Sequence, residues 1–484
     1  MPYIIPTGDG DDLVRSCPFI PNYIYGNVGY GIMESKRSMG RISDAFWRHP
    51  IMWTVVLGAF VRVVLGCFFT FSFDSEYWGL IDENLQSGAG LYELPGMYYT
   101  PVWGYFLSFI YAVAHLVFGV ASIGVQADSL VVLEGMVAGN YTDIVVSVEF
   151  AMSIKMALML VDLAVSYVLY RIVMTRTGNE RYAVIVFALW FLCPLTILSS
   201  SVKIMFDSVS ALLLLLAVYL VMDGRNYMAG GAFCIAVMTK FFPAYAIFLL
   251  VAYLYNRDRT AFIRSLSQAV IGAFVMLGLI LLPDIIQGNV DVAFGFLTNR
   301  IGSVSDSADS FVDTLSSGGY TVVMLLQPLV FAIQFYLAYR MAKYDGCDRD
   351  GRFLKLMALS TLAVFLWTPT PVYLLVPLPF LMVLAVVYER RYLRPLMFLI
   401  VSATVYELVI LNVSTLLQLD VYYGLVSSEY IISVAEWFTD MFFMEFSNFM
   451  ALSILAGFFL TIAIYLILFI FFKDEYESRR ASHA

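Results

Sequence analysis

Eight apolar stretches of membrane-spanning length, at 51–73, 149–170, 182–202, 206–222, 266–283, 319–339, 395–412 and 449–472, leave this chain few alternatives. Roughly 20 helical residues at ~1.5 Å each cross the ~30 Å hydrocarbon core of a bilayer. In that medium the backbone must satisfy its own hydrogen bonds, and an apolar run of this length does so as a helix. Charged residues make up 13% of the chain, against about 25% in soluble domains, so nothing suggests that these runs pack into a water-soluble core. The fold class that follows is an all-α polytopic membrane protein.

Two further runs, 228–254 and 354–388, are too long for one crossing and are interrupted by "KFFP" and "TPTP". Lys and Arg mark the cytoplasmic ends of membrane helices. Lys36, Arg37, Arg41 and Arg48 place the amino terminus inside, and Arg171, Arg176 and Arg181 place the end of 149–170 inside as well. Segment 74–148 is then one large extracytoplasmic loop. Its apolar stretch 101–121 reads as an interfacial or re-entrant helix, because no adequate return helix follows it. Arg225 precedes 228–254, and Arg257, Arg259 and Arg264 follow it, so this run reads as a hairpin of two short helices with "TKFFP" at its tip. Arg352 and Lys355 bracket 354–388 with Arg390, Arg391 and Arg394 in the same way, leaving "TPTPVY" at the second tip. Broken backbone at membrane depth is tolerated where it is buried in protein or lines a polar cavity. The expectation is about twelve crossings with both termini inside. The chain then divides into a cytoplasmic tail (1–50), a first membrane module (51–283, including the outer loop 74–148), a second module (284–472) and a short cytoplasmic tail (473–484).

All but five of the 28 basic residues fall on the cytoplasmic side. The five are Arg62, Lys155, Lys203, Lys240 and Arg300, and each intramembrane charge costs roughly 2.5–3.5 kcal/mol. Lys155 and Asp162 lie seven apart on one helical face, which allows a purely structural pair. Lys155, Lys203, Lys240 and Arg300 are otherwise candidates for binding a phosphate, as point charges on converging helix ends. Opposite them stands "FDSEYWGLIDENLQSGAGLYELPGMYYTPVWG" (73–104), with five carboxylates and no Lys or Arg. Cations facing carboxylates at the outer leaflet suit a substrate carrying both a phosphate and a hydroxyl. Asp74, where the first helix meets the outer surface, is the candidate general base, with Glu76 beside it. Asp207 is placed to hold Lys203 or to meet sugar hydroxyls. Tyr77, Tyr92 and Tyr99 are candidates for supporting the substrate, although Tyr92, Tyr98, Tyr99 and Trp103 also suit a membrane aromatic belt, the preferred reading for them.

The order of these motifs resembles the GT-C glycosyltransferases, polytopic enzymes that use polyprenyl-phosphate-linked sugars. The nearest likeness is to the catalytic subunit of GPI mannosyltransferase I and its prokaryotic relatives. That pattern has D-x-D-Y after the first helix, G..PY, Y.YTP, a K…D helix ending in YR, then NPL…SSRG..DS and H.KIYP. Here stand Asp74-Ser75-Glu76-Tyr77, Gly90-Leu91-Tyr92, Tyr98-Tyr99-Thr100-Pro101, Lys155 with Asp162 and Tyr170-Arg171, "CPLTILSSSVKIMFDS" (193–208) and "TKFFP" (239–243), in register over about 70–260. Glu76 replaces the second aspartate, Cys193 the asparagine, and Val202-Lys203 the RG pair. The resemblance implies a GT-C-like bundle and inverting transfer of a hexose, mannose by preference, from a polyprenyl-phosphate carrier to a glycolipid or glycan. Asp74 would be the base, with no cofactor; an accessory membrane subunit is a candidate partner whose need the sequence leaves open.

A transporter or flippase for a lipid-linked sugar would also want intramembrane cations and broken helices, and stands as the alternative. The halves show no self-similarity, and an acid-rooted outer loop serves a transporter nothing. The scattered Cys17, Cys67, Cys193, Cys234 and Cys347 form no CxxC pair, and His49, His115 and His483 lie far apart, so no metal site is expected. Residues 1–50 hold no signal-peptide core. The net charge of −9, with acids and bases segregated, does not suggest nucleic-acid binding. The expected location is a prokaryotic cell membrane, or the endoplasmic reticulum in a eukaryote, with the active site extracytoplasmic.

Overall fold

The computed structural model describes residues 49–88, 99–119, 123–127, 144–287, 328–366, 370–411, 413–441 and 447–483. These form α1 (Pro50–Phe68), α2 (Ser72–Gln86), α3 (Pro101–Phe118), the strands β1 (Gly124–Gln126) and β2 (Ile144–Val146), and α4 (Val148–Thr177). There follow α5 (Glu180–Phe191), α6 (Pro194–Leu198), α7 (Asp207–Met222), α8 (Asn226–Thr239), α9 (Ile247–Arg257) and α10 (Phe262–Gln287). The second half holds α11 (328–342), α12 (Arg349–Leu362), α13 (Leu378–Val383), α14 (Leu393–Leu411), α15 (Leu417–Val421), α16 (Ser428–Met441) and α17 (Ser447–His483). Among the described residues five helices are long and apolar enough to cross a membrane, and six if α5 and the bent continuation of α6 to Lys203 count as one. The chain is an all-α membrane protein with one small antiparallel ribbon, β1–β2.

The two interrupted runs are helix–break–helix units. After α8 the chain passes through Lys240 and a 3₁₀ turn (Phe242–Ala246) before α9 returns, and Arg257 at the end of α9 donates to the carbonyl of Val221 just before α8 begins. Pro243, which cannot donate to a helical ladder, sits in that break. The second unit closes where Lys355 in the middle of α12 pairs with Glu389 beyond α13. Its tip meets the first one, with Phe242 4.7 Å from Tyr373 and 5.2 Å from Phe365 between ring centroids.

One end of the bundle is tied by ion pairs. Arg176 of α4 and Tyr253 of α9 both bond Asp350 of α12, and Arg349 donates to the Arg257 carbonyl at 2.9 Å. Arg340 and Arg352 each lie 2.6 Å from Glu475 of α17, and Arg391 pairs with Asp474. The basic ends read from the sequence therefore gather in one layer. The buried apolar core above it draws on α4, α5, α7, α8 and α9 and equally on α11 to α14 and α17. Where α8 and α10 cross, a Cβ on Gly230 would lie 1.8 Å from the Ala269 carbonyl and one on Gly272 1.9 Å from that of Tyr227, so only glycine lets the backbones meet.

Two sequence expectations change, and a third segment is helical as read. The run 51–73 is not one helix: α1 stops at Phe68 and Asp74 lies in the first turn of a second helix, α2. The segment 182–202 bends by 41° at Cys193–Pro194. Segment 101–121 is the helix α3, whose start touches the first hairpin tip (Thr100 Oγ1 donates to Thr239 O at 2.7 Å). Its far end leads into Ile123, whose carbonyl accepts from the Ser147 amide beside the start of α4. It thus rises from the tip to the outer end of α4 without crossing to the basic end.

Candidate functional site

The site forms where α1, the π turn after α6, and α8 end. Lys240 follows the 14 residues of α8, which places it roughly 20 Å from the basic end. Beyond α1 the linker runs extended through Phe69, and the Phe71 amide donates to the Val202 carbonyl at 3.0 Å. That bond couples the strand leading to Asp74 with the residue before Lys203.

Lys203 closes a π-helical turn, Ser199–Lys203, after α6. The next residue, Ile204, has φ +61°, the single positive-φ non-glycine among the described residues. A β-branched side chain in this region is strained, on the order of 1–3 kcal/mol, and such outliers cluster at functional sites. The surroundings hold it: Trp78 Nε1 donates to Ile204 O at 3.0 Å, and the Met205 amide to Ser199 O at 2.9 Å. A π turn followed by a left-handed residue swings Lys203 out of the helical path and toward Glu407 of α14, 3.1 Å away.

Lys240 is released the same way, by the extended backbone that ends α8. Its ammonium lies 2.7 Å from Asp207, in the first turn of α7, and sits over the rings of Phe206 (4.8 Å) and Tyr373 (4.3 Å). Asp74 faces both lysines and Asp207, yet forms no ion pair among the described residues. Its side chain is partly exposed at the mouth. Burial pushes the Asp74 carboxyl above its ordinary value, while Lys203 and Lys240 oppose that and Asp207 adds to it. The result is two lysines and three carboxylates, Asp74, Asp207 and Glu407, with one of them free to accept a proton.

Aromatic rings wall this cluster. Trp103 stacks on Phe206 at 4.5 Å, and Trp78 lies 5.0 Å from Tyr99 and 5.4 Å from Trp103. Tyr77 joins the edge, 6.0 Å from Tyr99. Trp78 and Trp103 are fully buried, so Trp103 is packing for the site and not part of a lipid-facing belt, while Tyr99 is half-buried against Trp78.

Other candidates fall elsewhere. Lys155 does not pair with Asp162. Its ammonium donates to Gly66 O (2.7 Å), Phe69 O (2.9 Å) and Thr70 Oγ1 (2.6 Å), capping α1 beneath the linker to Asp74. Asp162 pairs with Arg62 at 3.2 Å and accepts from Ser208 Oγ at 2.7 Å. Arg62 also donates to Phe191 O and to Thr196 Oγ1 at 3.2 Å, so this buried pair joins α1, α4, α6 and α7. Spacing along α4 favoured Lys155 because it sees only that helix, whereas Arg62 comes from another. Glu76 is buried, but residues two apart on a helix point apart, and the carboxylate that acts on Asp74 is Asp207. Arg300 and Tyr92 lie outside the described residues. Glu407 was missed by reasoning from basic exceptions alone. The signal was present, a single acid within the apolar run "MFLIVSATVYELVIL".

No three His, Cys, Asp or Glu side chains among the described residues are grouped to hold a metal. In comparisons with known proteins, no family model matches the chain and no curated protein matches it significantly.

Proposed function

We propose that this protein is a membrane glycosyltransferase that moves a hexose, mannose by preference, from a polyprenyl-phosphate carrier to a glycolipid or glycan on the extracytoplasmic face. The observation that carries the reading is the Asp74 carboxyl, outside any ion pair among the described residues, facing Lys203 and Lys240 across an aromatic-walled cluster far from the basic end. The motif order from Asp74 to Lys240 supports it by resemblance.

In this reading the acceptor hydroxyl attacks the anomeric carbon from the face opposite the phosphate, and Asp74 takes its proton. A carbon–oxygen bond forms to the acceptor, the bond from the anomeric carbon to the phosphate oxygen breaks, and the electron pair leaves on the carrier phosphate. Lys203 and Lys240 stabilise that developing charge in surroundings where electrostatics are strong. The raised Asp74 carboxyl is the better base for its burial. The Trp78, Trp103 and Phe206 rings exclude water that would otherwise compete with the acceptor.

The test is transfer in purified membranes supplied with radiolabelled polyprenyl-phosphate mannose and native lipid extract, comparing wild type with Asp74→Asn. Label should enter a glycolipid with wild type and fall at least ~100-fold with the variant. Equal transfer by both removes Asp74 from the mechanism. Label that crosses the bilayer without covalent transfer defeats the enzyme reading in favour of a flippase, to which the two meeting hairpins would then belong.

A further inference from the structure

The proposed transfer changes the charge of its carrier. The donor is a phosphodiester with one negative charge, whereas the phosphate that departs is a monoester carrying about −1.5 to −2 at neutral pH, with a second ionisation near pH 6. The site must hold the first and let go of the second.

It contains anions of its own. Lys203 lies 3.1 Å from Glu407 and Lys240 2.7 Å from Asp207, so each lysine already has a carboxylate at contact distance. Glu407 is fully buried on α14, from the opposite half of the chain. The groups that face it are Lys203, Asp74, Asp207 and the Tyr406 phenol. A glutamate inside a membrane helix is expensive. If binding phosphate tightly were all the site had to do, an apolar residue at 407 would serve better, leaving Lys203 uncompensated.

Resting on the transferase reading, we propose that Glu407, together with Asp207, is a resident counter-ion that makes the site select singly charged lipid phosphodiesters over doubly charged phosphomonoesters. While Asp74 holds the transferred proton, Lys203 and Lys240 are balanced by Asp207 and Glu407, so the site offers the departed phosphate no net positive charge. The additional charge on the departed phosphate has no cation left to meet it. Once Asp74 releases its proton the site carries a net negative charge, and at low effective dielectric its repulsion of the doubly charged phosphate drives the spent carrier out. Glu407 is then a specificity residue that contacts Lys203, and Lys203 contacts the phosphate.

The experiment measures binding of two short-chain probes, farnesyl phosphate and its methyl diester, to the full-length protein in nanodiscs from pH 5 to pH 8. At any one pH both probes meet the same site charge, so the ratio of their affinities there reads the effect of the second charge. In wild type the ratio should favour the diester by about tenfold or more at pH 8 and shrink toward one as pH falls below about 6, where the monoester loses its second charge. In Glu407→Gln both probes should bind more tightly and the ratio at pH 8 should collapse. A wild-type ratio near one across the range overturns the inference, and this measurement stands even if the variant does not fold. A ratio that persists unchanged in Glu407→Gln removes Glu407 from the effect. If transfer proceeds while probe binding is blind to charge, only the counter-ion role fails. If neither probe binds wild type, a lipid phosphate is not the ligand and the transferase reading falls with it.

Discussion

Removing Arg62 should cost this protein more than removing any of its exposed ion pairs. Arg62 and Asp162 are 2% and 0% exposed, and no water can replace one for the other. Arg62→Met leaves the Asp162 carboxylate with the Ser208 hydroxyl at 2.7 Å and a buried negative charge. It also strips donors from Phe191 O and from Thr196. Breaking a buried pair from one side costs about 3–5 kcal/mol. Asp162→Asn keeps one oxygen where Ser208 and Arg62 now use two, and leaves the buried guanidinium without a counter-charge, so it should also cost about 3–5 kcal/mol. The double variant has no uncompensated charge and should be less destabilised than the sum of the singles, with a coupling of at least about 1.5 kcal/mol. The assay is the denaturant midpoint of all four proteins in one detergent. Additivity within about 0.5 kcal/mol would falsify the pair as a stabilising unit. The site should register the same change, because Thr196 leads into the segment ending at Lys203 and Ser208 follows Asp207. Transfer should therefore weaken in the single variants and partly recover in the double.

Lys155→Met should lower the turnover number of the proposed transfer while leaving the Michaelis constant for the donor within about twofold, since the lysine caps α1 and steadies the linker to Asp74 without facing Lys203 and Lys240. A rise in the donor constant with turnover preserved would return Lys155 to the phosphate site. Asp82 of α2 is buried, and desolvation pushes its carboxyl from 3.8 up to about 7, with the Gln86 hydrogen bond opposing and Glu83 adding. A raised carboxyl binds its proton more tightly when folded, so its contribution to stability is complete below about pH 4 and is lost as pH rises through about 7. Asp82→Asn should accordingly melt at a higher temperature than wild type at pH 8 and at a similar one near pH 4. Parallel melting curves across that range would show that Asp82 is not buried as a charge.

Much of this protein was determined by sequence alone, because the bilayer leaves few solutions. Long apolar runs had to be helices, and the clusters around Arg176, Arg257, Arg352 and Arg391 had to share an end, where they do form one layer. The hairpins were legible for the same reason: proline and lysine interrupt an apolar run flanked by basic residues at both ends, and the backbone can neither span nor stop. What sequence did not determine was which charge meets which. Spacing suggested Lys155 with Asp162 on one helix, while packing across helices gave Asp162 to Arg62 and Lys155 to the end of α1. Pairing inside a low-dielectric bundle depends on which side chains converge in three dimensions, and residues 100 positions apart are invisible to periodicity. The π turn and the left-handed Ile204 that present Lys203 have no local signature either, since serine, valine and isoleucine do not ask for them. They exist because Trp78, Ser199 and Val202 hold the backbone there, and that hold is a property of the assembled fold.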